Sequence, residues 1–409
     1  MVIILEDLIR SGPSKGLIAL MVITCGFTVA NVYLNQTLLV DMAKTFDSTV
    51  AEIGGVTTLT QVGYAIGNLL LVPLGDMFER RRMIVFLLLA VSLSLLSAAL
   101  SSSLTWLIVS HFAIGITTII PQLIVPLAAS MANDRNRGKL LGTVAIGLVC
   151  GILGARIVSG IVDSIWGWRV MYWISFGFML LLTLLIRFRL PQSQGETALP
   201  YRQLLLSLGP LFVKQKALQS ACLSQGMVFG SFSVFFTTIG FLLQSPPYEY
   251  GSAVVGLVGL VGIGGAVATP LIGLIIDRKG AALANKICML AAMASFLISA
   301  VAAYWLPGLI GSALLLTVST QANQVACQAK IFELSATARS RLNGLYMVFT
   351  FIGGALGSYV GVWAWSNWQW SGVCVVGLIM VFIGMSVSSG IKNVNDKKIE
   401  RMKNTNANS

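Results

Sequence analysis

The sequence predicts an all-α membrane protein, with twelve transmembrane helices arranged as two related six-helix bundles. Three observations carry that expectation. Hydrophobic residues make up 56% of the 409 and charged residues only 10%, whereas a soluble domain carries about 25% charged residues. Apolar windows of roughly 20 residues, enough to cross the hydrocarbon core of a bilayer, recur along the chain. A short charged turn also occurs twice, about two hundred residues apart: Gly75-Asp76-Met77-Phe78-Glu79-Arg80-Arg81-Arg82, then Gly273-Leu274-Ile275-Ile276-Asp277-Arg278-Lys279-Gly280. Each follows an apolar segment and places an aspartate before basic residues.

Taken in order, the first six spans fall at 17–40, 53–74, 83–101, 104–131, 140–162 and 170–188. The second six fall at 218–243, 252–276, 286–306, 308–332, 343–364 and 370–391. This divides the chain into an amino-terminal bundle (1–188), a linker (189–217), a carboxy-terminal bundle (218–391) and a tail (392–409). The linker carries Leu204, Leu205, Leu206 and Leu208 among basic residues, the pattern of a helix lying along a membrane surface. The tail is polar without hydrophobic periodicity and is expected to be disordered. Residues 1–16 are mixed and charged, and the first apolar run is long enough to remain as a span, so no cleavable signal is expected.

Charge sets the orientation. With both termini cytoplasmic, Arg80 to Arg82, Arg135, Arg137, Lys139, the linker's basic residues, Arg278, Lys279, Lys330, Arg339, Arg341 and the tail all face the cytoplasm. Only Lys44 and Arg169 fall outside, and Arg156 alone stays in the membrane. This is the positive-inside asymmetry, and it accounts for the net charge of +12 without a nucleic-acid partner. Tryptophans and tyrosines gather at the short outer connections, among them Trp106, Trp166, Trp168, Tyr248, Tyr250, Trp363 and Trp368, where amphipathic rings favour the interface. The six cysteines all lie in predicted spans without a paired spacing, so neither a disulfide framework nor a metal centre is expected. No cofactor is implied, and no nucleotide loop of the Gly-x-x-x-x-Gly-Lys type occurs.

Polar residues inside the membrane are costly and point to function. Arg156 lies about seven residues from the outer end of span 5, roughly 10 Å at 1.5 Å per residue. His111, the one histidine, lies at similar depth in span 4. Amides and a tyrosine form a wider set: Asn31, Asn35 and Gln36 in span 1; Gln61, Tyr64 and Asn68 on one face of span 2; Gln122 in span 4; Gln225 in span 7; Gln321, Gln324 and Gln328 on one face of span 10. These are candidate substrate contacts, with Arg156, and His111 and Arg156 are candidates for handling a proton. Each has an alternative: the amides and His111 as hydrogen bonders between helices, Arg156 as a side chain reaching outward to Asp163. No Asp or Glu stands in the middle of a span. That suits a neutral polar or anionic solute better than a lipophilic cation. Glycines recur in span 5 (Gly142, Gly147, Gly151, Gly154, Gly160) and span 11 (Gly353, Gly354, Gly357, Gly361), where small residues let helices approach.

Twelve spans in two halves, with the charged turn between spans 2 and 3 repeated between spans 8 and 9, resemble the major facilitator superfamily. Gly273-x-x-x-Asp277-Arg278-x-Gly280 matches the superfamily's loop motif, while the first copy has Val72 and Glu79 in the places of its glycines. Val72-Pro73-Leu74-Gly75-Asp76 before the arginines is similar to a bacterial branch of drug and metabolite exporters that includes purine-nucleoside and sugar efflux transporters. The resemblance implies that spans 1, 4, 7 and 10 line a central cavity. It also implies a gate: Asp76, with Arg80 and Arg81, would meet the start of span 11 near Arg341, and Asp277, with Arg278, the start of span 5 near Arg137. A carboxylate at a helix N-terminus is favoured by about 0.3–1 kcal/mol. The same charges could serve only to end a helix and fix orientation. In many relatives an arginine coupled to protons stands where His111 stands here.

The function expected is secondary active transport by alternating access: proton-driven efflux of a small organic solute, by a monomer in the bacterial cytoplasmic (inner) membrane, with lipid, protons and the solute as its partners. A multidrug exporter is the rival within transport, and a membrane sensor that binds a solute without moving it the rival outside it. An enzyme is not expected, because no nucleophile–base constellation is present.

Overall fold

The computed structural model describes residues 14–131, 137–193, 200–262, 281–334 and 339–388. Among these, the regular structure is helical throughout. Span 1 is Lys15–Tyr33, carried on by a tight turn, Leu34–Thr37, and a short helix, Leu39–Thr45. Span 2 is Val50–Leu70, span 3 Arg80–Ala99, and span 4 the pair Leu104–Thr117 and Ile120–Met131. Span 5 is Arg137–Trp166 and span 6 Trp168–Arg189. The linker helix, Tyr201–Lys214, precedes span 7, Lys216–Gln244. Span 8 begins as Ser252–Leu257 and tightens over Val258–Val261. Span 9 is Ala281–Val301, five residues earlier at each end than the hydropathy predicts, and span 10 is Leu306–Leu334. Spans 11 and 12 form one run, Arg339–Ser388, that turns at Gln369.

Among the described residues, eight helices are long and apolar enough to cross a membrane. One of them, Arg341–Val387, has 47 residues, roughly 70 Å of helix against a core of about 30 Å. It is two crossings, because Gln369 has φ 52° and ψ −149° and reverses the chain. Spans 2 and 10, of 21 and 29 residues, have the length but are diluted by buried polar side chains such as Gln61, Asn68 and Asn323. Together with span 8, whose later residues lie outside the description, these accord with a twelve-span chain. The tail 392–409 also lies outside the described residues.

Local chemistry starts and stops the helices. Thr49 caps span 2 reciprocally with Glu52: the Glu52 amide donates to Thr49 Oγ1 at 3.3 Å, and the Thr49 amide to Glu52 Oε2 at 2.8 Å. Ser103 caps span 4 through the Trp106 amide. Span 4 breaks at Thr118–Ile119; Pro121 then sits in the first turn of its second helix, where no amide is needed. Gly167 has φ 84°, which lets span 6 begin with this single residue between it and the end of span 5.

Spans 1 and 5, 2 and 4, and 3 and 6 pack in pairs in the first half; spans 7 and 11, 9 and 10, and 9 and 12 do so in the second. Paired glycines set two of these crossings, and they repeat between the halves. A side-chain carbon added at Gly26 would meet the Gly147 carbonyl at 2.8 Å, and one at Gly151 would fall on the Gly26 carbonyl. In the second half, carbons at Gly353 and Gly357 would fall on the carbonyls of Gly226 and Gly230. Gly147-x-x-x-Gly151 on span 5 and Gly353-x-x-x-Gly357 on span 11 are therefore equivalent contacts, against spans 1 and 7. The halves meet along spans 2 and 11 and spans 5 and 8. Phe86, Leu93, Leu184, Phe188, Ile352 and Phe382 are exposed, as a bilayer-facing rim requires. "Outer" denotes the side that the charge asymmetry assigns to the outside, the side of Gly167 and Gln369.

Candidate functional site

Arg156 is 4% exposed, on the face of span 5 that meets both halves. Its Nε donates to Gln36 Oε1 of span 1 at 2.9 Å. Its guanidinium carbon lies 4.4 Å from the centre of the Phe236 ring, 5.4 Å from Tyr33 and 5.5 Å from Phe232. Tyr33 belongs to the first half and the two phenylalanines to span 7, so rings from both halves enclose the cation. Its Nη2 is buried and has no hydrogen-bond partner. A planar cation among ring faces is stabilised by their quadrupoles, by about 2 kcal/mol when desolvated. The unused donor is left free to bind an acceptor. Arg156 does not reach outward to Asp163; its Nε is committed to Gln36.

The predicted amides divide into separate groups. Asn35 is satisfied within the first half: its Nδ2 donates to Thr60 at 3.2 Å, and Thr57 donates to its Oδ1 at 3.3 Å. Gln61 bridges the halves, its Nε2 donating to Ser358 of span 11 at 3.0 Å and its Oε1 accepting from Ser233 of span 7 at 3.4 Å. Tyr64 packs on Phe351 with ring centres 4.1 Å apart, and Gln122 donates to its hydroxyl at 3.5 Å. Asn31 is buried in the last turn of the span 1 helix, with Nδ2 unpartnered.

A second polar centre lies inside the other half. Gln225 accepts from Asn323 at 2.7 Å, and Asn323 accepts from Asn285 of span 9, beside Ser224 and Cys327. Gln225 Nε2 has no partner there. Asn285 was not among the predicted contacts because the hydropathy window begins one residue after it. Gln321 and Gln324 are half-buried. Gln328 donates to Asn343 at 3.3 Å, joining spans 10 and 11. Tyr33, Phe232 and Phe236 were missed as well; the spacing Phe229, Phe232, Phe236 along one face of span 7 is their sequence signal.

His111 is fully buried, with Nδ1 2.9 Å from the Leu107 carbonyl and Nε2 2.7 Å from the Tyr172 hydroxyl of span 6. The carbonyl can only accept, so Nδ1 carries the hydrogen and Nε2 accepts from Tyr172. Both nitrogens are used inside the first half, the arrangement of a helix-to-helix hydrogen bonder. Tyr172→Phe is accordingly expected to destabilise the protein by about 1 kcal/mol, within the range for membrane hydrogen bonds, read as a lower Tm. The pH profile of transport should not move.

Among the gate residues, the side chains of Asp76 and Arg137, and Asp277 and Arg278 entirely, lie outside the described residues. Arg80 is buried, and its Nε approaches the Gly75 carbonyl at 3.4 Å. Arg81 donates to the Leu190 carbonyl at the end of span 6, at 3.2 Å. Arg341 donates to Ser207 of the linker helix at 3.1 Å. It also lines a crevice with Asn68, Leu69, Val72, Pro73, Leu204, Leu208, Gly344 and Leu345. The inner end of the seam between spans 2 and 11 is thus covered by the linker helix, and Asn68, one of the lining residues, has its Oδ1 buried without a hydrogen-bond partner.

The outer end of the seam is closed. Carbons added at Gly160 and Gly256 would strike the Ser252 and Arg156 carbonyls across spans 5 and 8, and Ser252 Oγ donates to the Gly160 carbonyl at 3.3 Å. One added at Gly54 would strike Val362 across spans 2 and 11.

Comparison with known proteins adds the lineage. The family model of the Major Facilitator Superfamily matches residues 17–319. The chain is 37% identical over 379 residues to an uncharacterized transporter of Escherichia coli (strain K12), YgaY, covering 91% of this chain and 95% of that one. It is 31% identical over 387 residues to a protein named as a transporter in Streptomyces coelicolor, SCO4007, covering 93% and 88%. Among solved structures, the nucleoside transporter NupG matches with a TM-score of 0.73 at 14% identity, over 91% of this chain and 97% of that one. A bacterial homologue of the human lysosomal transporter Spinster, inward-facing and occupied, matches at 0.71 and 13%, over 92% and 96%. At such identities the structural likeness speaks for the fold.

Proposed function

The chain belongs to the Major Facilitator Superfamily, and from that premise we propose that it exports a small neutral-polar or anionic organic solute across the bacterial cytoplasmic membrane in exchange for protons. That it is a transporter follows from the family; direction, coupling and cargo are the proposal. The observation that carries the cargo class is Arg156. A buried guanidinium with a free Nη2, framed by Tyr33, Phe232 and Phe236, offers a charged donor and flat apolar walls at the contact between the halves. An acceptor group on a compact solute would satisfy the donor, and an apolar or ring portion would lie on the walls. A lipophilic cation would meet like charge there. Gln36 orients the guanidinium from within the first half, and Gln61 ties span 2 to spans 7 and 11, so Gln61 reports whether the halves are closed around the solute. The chain is read as a monomer with both termini cytoplasmic.

Alternating access then means that the outer contacts at Gly54, Gly160 and Gly256 open while the inner end closes, moving Arg156 from one side's water to the other's. The test is uptake into inside-out vesicles with a panel of nucleosides, sugars, carboxylates and lipophilic cations, with and without an imposed pH gradient. Accumulation of a neutral or anionic solute that collapses with the gradient is expected. Accumulation of cations alone would overturn the cargo class, and equilibration indifferent to the gradient would overturn the coupling.

A further inference from the structure

Asp163 stands at the outer end of span 5, on the wall of the seam that faces span 8, and is 8% exposed. Asp41, on the short helix that extends span 1, stands beside it: about one turn earlier on the two helices the Thr37 and Ser159 hydroxyls are 2.6 Å apart, and about one turn later Trp168 Nε1 donates to Thr45 Oγ1 at 3.0 Å. Ser252, at the start of span 8, donates to the Gly160 carbonyl one turn before Asp163. Asp163 Oδ2 is buried without a donor. Ionised carboxylates only accept, so neither aspartate can satisfy the other as an anion. A single proton between them supplies the missing donor.

The neighbouring charges do not remove that need. Lys44 bonds Asp41 at 2.7 Å from an exposed position. From span 6, the Tyr172 hydroxyl donates to His111, and Arg169 is held on the Ser101 carbonyl at 2.9 Å. Arg156, two turns along span 5, is committed to Gln36. Among its described residues, span 8 contributes the neutral Ser252. The cluster therefore holds one cation for two carboxylates, and one proton makes it neutral.

We propose that Asp41 and Asp163 form a proton-binding site on the outer seam, which holds one shared proton while spans 5 and 8 are closed on each other and gives it to external water when they part. The proton arrives from that water, bonds to one carboxylate oxygen, and the resulting O–H donates to the other carboxylate. Closing the seam brings Ser252 and the Gly160–Gly256 contact over Asp163, removing the water that would solvate an anion; an unpaired buried charge is strongly disfavoured. Low external pH thus favours the closed outer seam, and high pH favours its opening. The site's place in a transport cycle rests on the proton-exchange reading above, but its proton binding does not.

The test uses the purified full-length protein in lipid. Infrared spectra are recorded across acid to alkaline pH for the C=O stretch of a protonated carboxyl. In parallel, the outer separation of the halves is measured between spin labels at Ser102→Cys and Asn367→Cys. Both positions are exposed; Cys150 is replaced by serine, and the other five cysteines are buried. In the otherwise native chain the band should fade as pH rises, and the separation should widen over the same range. Asp163→Asn and Asp41→Asn should each lose the band and the pH response of the separation. Ser252→Ala, which leaves both carboxyls intact, should keep the band and move its midpoint. An unchanged band in Asp163→Asn, or a separation that follows pH as in the parent, overturns the site. If no solute responds to a pH gradient while the band and separation still depend on the two aspartates, the proton site stands and the exchange reading falls.

Discussion

Arg156→Ala is expected to lower solute affinity by about 10–150-fold while raising the thermal stability of the protein. The two effects have one cause. A hydrogen bond to a charged group contributes about 1.5–3 kcal/mol, and each 1.4 kcal/mol is tenfold in binding. In the structure the same group is a liability: its Nη2 is buried and unpaired, and only Gln36 and three ring faces offset its desolvation. Removing a buried charge that lacks a carboxylate partner relieves that cost, so a higher Tm should accompany weaker transport. A residue present only to hold helices together would give the opposite sign in Tm. Arg156→Lys should recover little, because an ammonium cannot present Nε to Gln36 and Nη2 to a ligand in one fixed fork. Vesicle uptake with apparent KM, and unfolding temperature on the same preparations, decide the matter. Parent-like uptake by Arg156→Ala would end Arg156's role in binding cargo.

What the sequence made legible follows from what is local. The span windows, the linker helix and the reversals depend on hydropathy and turn chemistry within a few residues, and among the described residues, which leave out span 8 beyond residue 262, the helices follow them except at span 9. There the polar Asn285 and Lys286 marked a boundary inside what is one helix. Intramembrane cost singled out Arg156 in the same way. Partnership was not legible, because it depends on depth and rotation of helices far apart in sequence. Gln36, Gln61 and Gln225 look alike as amides in spans, yet they hold a cation, bridge the halves, and sit in a separate polar centre within one half. Asp41 and Asp163 carry no pairing signal in the sequence; only packing of span 1's extension on span 5 places them together. The glycine pattern shows the same limit. Its spacing announced close approach in spans 5 and 11, but not which glycines meet their own half and which meet the other.

That last distinction gives the second large expected effect. Gly160→Val should leave the protein folded but hold its outer seam open, with transport lost; Gly151→Val should instead lower its stability. Both glycines lie on span 5, and at both an added carbon would fall on a carbonyl oxygen. At Gly151 the oxygen belongs to Gly26 of span 1, a partner in the same bundle throughout the cycle. No rigid-body movement of the halves relieves that clash, so overpacking of about 1–3 kcal/mol acts on folding. At Gly160 the oxygen belongs to Ser252 of span 8, with Gly256 Cα 3.2 Å from the added carbon. Parting the halves relieves this clash completely, so the same energy acts on the gate instead. It shifts the ratio of open to closed outer seam by roughly 5–150-fold, since 1.4 kcal/mol is tenfold in an equilibrium. Exposure of Ser252→Cys to an impermeant thiol reagent reads the gate, in the Cys150→Ser background and with and without Gly160→Val; Tm reads the fold. A faster reaction at an unchanged Tm is expected for Gly160→Val. Unchanged reactivity with a fall in Tm like that of Gly151→Val would mean that spans 5 and 8 do not separate, and that the moving seam lies elsewhere.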